Sequence, residues 1–320
     1  MRVLITGASG FVGGWLARHC HEAGDEVIGL SRSGGRPAGV GRGIALDLRN
    51  HEALARTLAE LRPEAIYHLA ALSHVGRSWE DPASTLDANV GGAVALLEAV
   101  REAAPSTRLL WASSCEVYGR VAGLPVTEAA PLAPVNPYAV SKAAGDMLAG
   151  VYAEAHGLAV LRARPFNHVG PGQLPIFIVS SLAQQAARAR LAGASELTIV
   201  TGTPDTRRDY TDVRDVCRAY RALITGPAPA GVYNVCSGVS TSARELVGLV
   251  AELIAPIRVD HEVDPDRVRA HEVLDHRGSA AALQAATGWT PQIPLRQTVA
   301  DTIAWWETTL AARQRVQPAR

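Results

Sequence analysis

The segment VLITGASGFVGGWLARH, residues 3–19, joins a short apolar run to a helix-like pattern through a glycine-rich turn. Gly7, Gly10 and Gly13 follow the spacing G-x-x-G-x-x-G within it. Glycines permit a tight turn and the close approach of a diphosphate, and the N-terminus of the next helix offers unsatisfied N–H groups and a partial positive charge. The turn therefore predicts a binding site for the diphosphate of a dinucleotide.

Strand-like and helix-like patterns alternate from this turn through the first half of the chain. The strand-like runs cover residues 2–6, 26–30, 44–48, 65–70, 108–113 and 159–163. The helix-like segments cover residues 11–23, 51–61, 85–103 and 138–156. Such alternation is typical of βαβ units, in which helices cover both faces of a parallel sheet. We therefore predict an α/β protein with a Rossmann-type, doubly wound parallel sheet.

The pattern becomes more irregular after about residue 165, where RPFNHVGPGQLP brings several prolines and glycines into the chain. Shorter helices and strands follow. We predict a Rossmann domain over residues 1–165, with a return segment near 213–240. A smaller, mixed α/β domain is predicted over residues 166–212 and 241–320.

Composition excludes several classes of protein. The chain of 320 residues has 31 basic and 31 acidic residues and a formal net charge of zero, whereas proteins that bind nucleic acids or membrane surfaces present basic patches. No apolar run approaches the roughly 20 residues of a membrane span, and no signal peptide precedes the first strand. The four cysteines form no CxxC pair, which predicts reduced thiols in a cytoplasmic protein without a metal site.

The end of the second predicted strand bears on the choice of dinucleotide. NAD-binding proteins usually carry an acidic residue there, which hydrogen-bonds a ribose hydroxyl. GLSRSGGR, residues 29–36, instead puts Ser31 and Arg32 at that position, and a guanidinium suits a phosphate group. We favour NADP(H), with NAD(H) still possible and a solvated loop arginine as the alternative for Arg32. Asp47, after the third strand, is predicted to contact the adenine amino group.

NPYAVSKAAG, residues 136–145, places Tyr138 and Lys142 four residues apart, on one face of a predicted helix. An ammonium group beside a phenol is expected to lower the phenol's pKa, so that Tyr138 exchanges a proton with a carbonyl or hydroxyl oxygen while a nicotinamide exchanges hydride with the attached carbon. Ser114, at the end of an earlier predicted strand, completes a Ser–Tyr–Lys set.

With these motifs the chain resembles the extended short-chain dehydrogenase/reductases, which act on nucleotide sugars. The family's Ser/Thr–Tyr–Lys set falls on Ser114, Tyr138 and Lys142, HLAALSHV (68–75) resembles the loop that lines the nicotinamide and sugar, and Asn89 matches an asparagine of the following helix. The resemblance implies cofactor contacts in the glycine turn, at strand ends and in the catalytic helix, from Gly7, Gly10, Phe11, Val12, Gly13, Ser31, Arg32, Asp47, Leu48, Leu69, Ala70, Ala71, Asn89, Tyr138, Lys142 and Pro165. It implies substrate contacts from Ser73, His74, Ser114, Glu116, Asn167, Arg208, Arg269 and Glu272.

Different segments of the chain resemble two branches of the family, which catalyse different reactions. SSCEVYG (113–119) resembles GDP-mannose 4,6-dehydratases, in which a glutamate at the position of Glu116 removes the proton at sugar carbon 5. Four other segments together resemble GDP-4-keto-6-deoxy-D-mannose reductases, which form GDP-D-rhamnose: RPFNHVGPGQ (164–173), RRDYTDVRDVCRAY (207–220), GVYNVCSG (231–238) and TGWTPQIPL (287–295). We favour the NADPH-dependent 4-keto reductase, with the dehydratase, another 4-reductase or a 4-epimerase as alternatives. A non-enzymatic NADP sensor or scaffold is disfavoured because Tyr138 and Lys142 are both present.

The second half of the chain supplies the residues that the resemblance assigns to the nucleotide. Asn167, Arg208 and Arg269 match residues that contact the diphosphate, and Glu272 matches an acid near the ribose or base. Arginine suits a diphosphate because its guanidinium forms charge-assisted hydrogen bonds; surface salt bridges to Asp209 or Asp266 are the alternative. Ala270 departs from the related pattern, which has proline.

The helices at 85–103 and 138–156 carry small and apolar residues around much of their circumference. Helices with apolar surface on several sides are often buried by a partner. Together with the family resemblance, this predicts a homodimer joined by a four-helix bundle.

Overall fold

The computed structural model describes residues 1–267 and 273–316. The strands in this part of the chain are β1 (Arg2–Thr6), β2 (Glu26–Ser31), β3 (Arg42–Ala45), β4 (Ala65–His68), β5 (Arg108–Ala112), β6 (Val160–Pro165), β7 (Asn167–Val169), β8 (Glu196–Thr201), β9 (Arg207–Asp212), β10 (Gly231–Val235), β11 (Ser240–Ser242), β12 (Arg258–Val263) and β13 (Asp275–His276).

The α-helices are α1 (Phe11–Glu22), α2 (His51–Leu61), α3 (Val75–Glu80), α4 (Pro82–Leu86), α5 (Gly92–Ala103), α6 (Pro137–His156), α7 (Ile178–Leu191), α8 (Val213–Thr225), α9 (Ala243–Ile254), α10 (Ala281–Thr287) and α11 (Leu295–Val316). A π-helix covers Asp87–Gly91, and 3₁₀ turns cover Pro37–Gly39, Cys115–Tyr118 and Pro265–Arg267.

A seven-stranded sheet has the order β10-β6-β5-β4-β1-β2-β3, and all of its neighbouring strands are parallel. Its central strands are buried on both faces, which explains their continuous apolar sequences; Val3, Leu4 and Ile5 of β1 have no exposed surface. The predicted Rossmann-type sheet is confirmed.

The strand order reverses beside β1, because the chain runs outward to β2 and β3 on one side and then to β4, β5 and β6 on the other. In doubly wound sheets, ligands bind beyond the carboxyl ends of the strands at such a reversal. The turn after β1 contains Gly7, so the sheet topology and the glycine pattern indicate the same place.

One core packs α2 and α5 against this sheet. Leu54 and Leu58 of α2 and Leu96 and Leu97 of α5 are fully buried and belong to the same cluster as Ile66 of β4. Truncating such a leucine to alanine costs about 2–5 kcal/mol. This core holds the strand ends that carry the candidate site.

The chain divides into two compact units. The first contains Met1–Phe166, Val216–Val235 and Ser279–Thr290, and the second contains Asn167–Asp215, Cys236–Gly278 and the chain from Pro291 onward. Residues 279–290 lie in the first unit, because α10 packs beside β10. This differs from the prediction, which placed them in the second domain.

The second unit is a mixed α/β structure. In it β9 pairs with β7 and β13 in parallel and with β11 in antiparallel fashion, and β8 pairs with β12 in parallel. Helices α7, α9 and α11 share one apolar core that includes Ala183, Leu246 and Ile303. The predicted smaller mixed domain is confirmed.

Two further observations concern the whole described chain. All four cysteines, Cys20, Cys115, Cys217 and Cys236, are buried, and none of them forms a disulfide bond. Among the residues that the structure describes, no helix is long and apolar enough to span a membrane, and no cluster of acidic, histidine and cysteine side chains could hold a metal ion.

Candidate active site

The glycine turn after β1 has no room for side chains. Gly7 has φ +70, and a Cβ there would lie 2.8 Å from the backbone nitrogen of Ala70. A Cβ on Gly13 would lie 2.3 Å from the carbonyl oxygen of Gly7. Helix α1 starts after Gly10 without a side-chain cap, and the first-turn N–H groups of such a helix are the usual ligands of a diphosphate. The turn therefore fits a dinucleotide.

Two buried polar residues support the loop that faces this turn. Thr6 Oγ1 lies 2.9 Å from Nδ1 of His68 and accepts a hydrogen bond of 3.3 Å from the backbone nitrogen of Ala70. The His68 ring packs against Trp111, with 4.3 Å between ring centroids. Burial, and to a smaller extent the nearby Lys142, lower the pKa of His68 to about 3. The imidazole is therefore neutral, and it helps to hold the half-buried residues Leu69, Ala70 and Ala71. Sequence reasoning missed both Thr6 and His68.

Ser31 and Arg32 lie at the end of β2, as the sequence predicts. Ser31 is half-buried and its Oγ accepts a hydrogen bond from the backbone nitrogen of Gly34 at 3.2 Å, while Arg32 is exposed. Hydrogen bonds from Arg49 lower the pKa of Asp47 to about 2, and the charge of Arg32 contributes in the same direction. Arg32 and Asp47 therefore interact electrostatically, and the carboxylate of Asp47 stays ionised.

The predicted single helix over residues 85–103 is interrupted by the π-helix that contains Asn89. The Asn89 side chain accepts a hydrogen bond from the backbone nitrogen of Leu72 at 2.8 Å and donates to the Leu72 carbonyl at 3.1 Å and to Ser141 Oγ at 2.8 Å. Both of its N–H groups are thus used within the protein. Asn89 links the loop after β4 to α6, and its predicted contact with the cofactor stays a prediction.

The structure brings Ser114, Tyr138 and Lys142 together in the first unit. Ser114 precedes the 3₁₀ turn after β5, and Tyr138 is the second residue of α6. Each has less than 10% of its surface exposed. The Ser114 side chain is close enough to the Tyr138 phenol to lower its pKa, and Lys142 Nζ donates to the Ala112 carbonyl at 2.6 Å. The arrangement places a phenol and a hydroxyl at the carboxyl end of β5, close to a buried cation.

The pKa of Tyr138 is raised above its ordinary value of 10, mainly by burial, and the Ser114 side chain opposes this only in part. Glu116 and Cys115 act in the same direction as burial. The direction is opposite to the one argued from the sequence, in which Lys142 lowers this pKa. The reason is that burial disfavours the phenolate. Tyr138 is therefore a neutral proton donor at physiological pH.

Burial also lowers the pKa of Lys142, to about 8, although the charge of Asp146 opposes the shift. Asp146 has no exposed surface and lies one helical turn from Lys142. It accepts hydrogen bonds from Nε and Nη2 of Arg164, at 2.9 and 2.8 Å. Arg164 Nη1 donates to the Tyr118 hydroxyl at 3.1 Å, which donates to Asn234 at 2.7 Å.

This chain of polar groups fixes α6 against β6, β10 and the turn after β5. Sequence reasoning missed it. The available signal was an acid four residues after Lys142 and an arginine within the apolar strand that ends at the buried Pro165.

Glu116 lies beside the N-terminus of α6. Its side chain is half-buried, and Oε2 accepts a hydrogen bond of 3.1 Å from Nδ2 of Asn136. Asn136 is buried and caps α6, because its Oδ1 accepts from the backbone nitrogen of Ala139 at 2.8 Å. The carboxylate is thus engaged with the residue that starts the helix.

The remaining predicted residues of the first unit are more exposed. Ser73 is exposed, and half-buried His74 starts α3, where its Nδ1 accepts a hydrogen bond from the backbone nitrogen of Arg77 at 2.9 Å. Phe11 and Val12 belong to the first turn of α1, and Leu48 packs against the core beneath the sheet.

Two predicted substrate residues lie in the second unit. Asn167 is in β7 and its Nδ2 donates to the carbonyl of Asp209 at 3.4 Å. Arg208 is in β9, and its Nη1 donates to the carbonyls of Arg207 and Val273 at 2.8 and 2.7 Å. Burial, and then the charge of Arg208, lower the pKa of nearby His276 to about 4. Arg269 and Glu272 lie outside the described residues.

Comparisons with known proteins agree with this geometry. A family model described as GDP-mannose 4,6 dehydratase matches residues 4–302. A GDP-6-deoxy-D-mannose reductase from Pseudomonas aeruginosa is 38% identical over 309 residues, which cover 96% of this chain and 97% of that protein. A UDP-glucose 4-epimerase from Mycolicibacterium smegmatis is 33% identical and covers 96% of this chain and 98% of its own length.

A solved structure has the same fold over nearly the whole chain. The structure of RMD from Pseudomonas aeruginosa complexed with NADPH is similar with a TM-score of 0.83 and 37% identity. The match covers 97% of this chain and 100% of that chain.

Proposed function

We propose that this chain, which belongs to the GDP-mannose 4,6-dehydratase family, is a reductase that converts GDP-4-keto-6-deoxy-D-mannose to GDP-D-rhamnose with NADPH. The observation that carries the proposal is the contrast between two acids. Tyr138 is a protonated phenol beside the Ser114 side chain, as protonation of a keto oxygen requires. Glu116, the base that a dehydratase would need, is hydrogen-bonded to Asn136 instead. The 38% identity to a GDP-6-deoxy-D-mannose reductase supports the same choice.

The first unit supplies the residues that would hold NADPH. The glycine turn and the start of α1 would bind the diphosphate, and Ser31 with Arg32 would bind the phosphate on the adenine ribose. Asp47 would contact the adenine, and Lys142 would hold the nicotinamide ribose. When bound, the cofactor supplies the hydride for carbon 4 of the sugar.

The chain's own residues handle the proton and the charge on oxygen. Tyr138 donates its phenolic proton to the oxygen on carbon 4. Ser114 hydrogen-bonds the same oxygen and stabilises the charge that develops there. The positive charge of Lys142 favours the tyrosinate that remains, and a proton from solvent restores the phenol. No base at carbon 5 takes part.

The nucleotide end of the substrate is assigned to the second half of the chain by family resemblance and by charge. Asn167, Arg208 and Arg269 would contact the diphosphate, and Glu272 the ribose or base. Ser73, His74 and Glu116 are the candidates for hydrogen bonds to sugar hydroxyls. Ser73 is exposed.

The family model and the position of Glu116 two residues after Ser114 favour one second candidate, a GDP-mannose 4,6-dehydratase. It would use the same Tyr138, with Glu116 as the base at carbon 5 and a cofactor that is regenerated in each turnover.

One experiment separates the two reactions. The protein is incubated with NADPH and GDP-4-keto-6-deoxy-D-mannose, and separately with GDP-D-mannose alone, while nicotinamide absorbance and sugar products are followed. We expect stoichiometric oxidation of NADPH and formation of GDP-D-rhamnose in the first mixture. The Tyr138→Phe variant serves as the control and should lose about 10²-fold or more in kcat. Formation of the keto sugar from GDP-D-mannose would overturn the reductase assignment.

We further propose a homodimer joined by α5 and α6. Val140, Met147 and Val151 recur at seven- and four-residue spacing on α6 and are 44%, 59% and 58% exposed, and Val94 of α5 is 41% exposed. Such a stripe on adjacent helices suits a four-helix bundle with a second copy. Sedimentation should give a dimer at micromolar concentration and a monomer for Met147→Glu. A wild-type monomer would contradict the proposal.

We also propose a cytoplasmic location. All four cysteines are buried and none forms a disulfide bond, which suits a reducing compartment.

A further inference from the structure

Hydrogen bonds link Ser114, Glu116 and Asn136 to the first turn of α6, which carries Tyr138. The backbone nitrogen of Glu116 donates to Ser114 Oγ at 3.2 Å, and Glu116 Oε2 accepts from Asn136 Nδ2 at 3.1 Å. Asn136 Oδ1 accepts from the backbone nitrogen of Ala139 at 2.8 Å, within the first turn of α6. The Ser114 side chain is close enough to Tyr138, in the same turn, to lower its pKa. A path of hydrogen bonds through Glu116 and Asn136 therefore joins Ser114 to the turn that carries Tyr138.

The first turn of α6 explains why the cap matters for Tyr138. Pro137 occupies the first helical position, where it fixes φ and supplies no N–H group. The start of the helix is therefore set by the Asn136 cap, and Tyr138 follows two residues later. A small rotation of this turn would move the phenol away from Ser114, and misplacements of about 1 Å can cost roughly 10²-fold in rate.

Asparagine is suited to both contacts at once. Serine, threonine and aspartate also cap helices, but aspartate has no donor and a hydroxyl accepts and donates through one atom, whereas an asparagine side chain accepts through its oxygen and donates through its nitrogen. Asn136 uses the oxygen for the helix and the nitrogen for Glu116. It is 8% exposed, so neither contact is readily replaced by water.

We infer that Asn136 is a positioning residue for Tyr138, and that Glu116 acts through Asn136 to hold the start of α6 rather than as a base. The carboxylate also lies where a negative charge is favourable, at the N-terminus of a 20-residue helix. For its kinetic readout the inference rests on the proposed reductase activity.

The test reverses the donor and the acceptor of the Glu116–Asn136 pair. Asn136→Asp keeps the capping oxygen but puts a second carboxylate against Glu116, so we expect kcat to fall roughly tenfold with KM for NADPH within about twofold. The double variant Glu116→Gln/Asn136→Asp restores one donor, one acceptor and a single negative charge. We expect it to recover kcat to within about threefold of wild type.

Asn50→Asp is a matched control, since Asn50 caps α2 through the same contact, to the backbone nitrogen of Ala53 at 3.0 Å. It should leave kcat unchanged. Asn136→Ser keeps a capping oxygen but lacks the amide nitrogen that donates to Glu116, and it should fold even if Asn136→Asp is unstable. We expect its kcat to lie between those of wild type and Asn136→Asp. A double variant no faster than Asn136→Asp, or wild-type kcat in Asn136→Asp, would overturn the inference.

A second readout needs no substrate. Amide hydrogen exchange at Ala139 and Val140 should accelerate in Asn136→Asp and return toward the wild-type rate in the double variant. If the wild type fails to reduce the keto sugar, the proposed function fails, and the exchange pattern still decides the role of Asn136. Exchange in Asn136→Asp that is unchanged from wild type would count against the inference.

Discussion

Lys142 Nζ donates a 2.6 Å hydrogen bond to the carbonyl oxygen of Ala112, two residues before Ser114. The contact joins α6 to the end of β5. The ammonium group of Lys142 and the hydroxyl of Ser114 are therefore both held by the end of this strand. Burial leaves the pKa of Lys142 at about 8, with Asp146 opposing the shift. The charge on Lys142 is consequently sensitive to modest changes in pH.

The first prediction follows from that pKa. As pH rises through about 8, Lys142 loses its proton and its charged contact with the nicotinamide ribose weakens. KM for NADPH should therefore rise above pH 8 by up to about tenfold per unit. Steady-state kinetics at fixed sugar concentration measure it. Lys142→Arg, which stays charged throughout, should show no such rise. A wild-type KM that stays flat to pH 9.5 would be inconsistent with the prediction.

The second prediction concerns Arg32 and the choice of cofactor. Arg32 is exposed at the end of β2, where a phosphate on the adenine ribose would approach. Arg32→Ala should raise KM for NADPH roughly tenfold or more, as expected for a lost charge-assisted hydrogen bond, and should leave KM for NADH within about twofold. Arg36→Ala is the comparison, because Arg36 lies in the same loop and its Nε donates to the Gly41 carbonyl. Equal changes for both cofactors would show that Arg32 does not read the phosphate.

The third prediction separates a base from a supporting carboxylate at position 116. Glu116→Gln keeps an oxygen that can accept from Asn136, so a reductase should lose less than about tenfold in kcat. A dehydratase would lose exchange of the carbon 5 proton almost completely, since it would lack its base. Turnover in deuterated water, with mass analysis of the sugar, measures both. Loss of reduction as severe as that of Tyr138→Phe would assign Glu116 a direct part in the chemistry.

Local patterns predicted the parts of the molecule that are local in origin. The glycine spacing at Gly7, Gly10 and Gly13 and the four-residue step from Tyr138 to Lys142 each depend on a single turn or helix, and the alternating apolar runs predicted the sheet. The supports of the site could not be predicted in this way. Asn136 bonds Glu116 across 20 residues, and Asn89 bonds Ser141 across 52.

The direction of the Tyr138 pKa shift was missed for the same reason. Spacing along a helix brings Lys142 near Tyr138 but says nothing about how completely the fold removes the phenol from water, and burial is the largest cause of the shift. The break in the predicted helix at 85–103 could not be predicted from local spacing either. The π-helix at Asp87–Gly91 carries Asn89, which contacts Leu72 and Ser141, and both lie far from it in the sequence.

The last prediction concerns stability in acid and rests on His68. Its pKa is about 3 in the folded protein and 6.5 when unperturbed, because burial disfavours the imidazolium. Below pH 6.5 His68 therefore binds a proton in the unfolded chain but stays neutral in the folded protein, so stability is lost as pH falls. The loss is about 1.4 kcal/mol per pH unit, or about 2 kcal/mol between pH 6.5 and 5.

His68→Gln is less stable at neutral pH, since it loses the packing on Trp111, but it carries no titrating group there. Urea unfolding measures the free energy of unfolding at pH 6.5 and at pH 5. Between these two values it should fall by about 2 kcal/mol less in His68→Gln than in wild type. Buried His276 contributes equally to the fall in both proteins. Equal decreases would mean that His68 is protonated in the folded protein at pH 5.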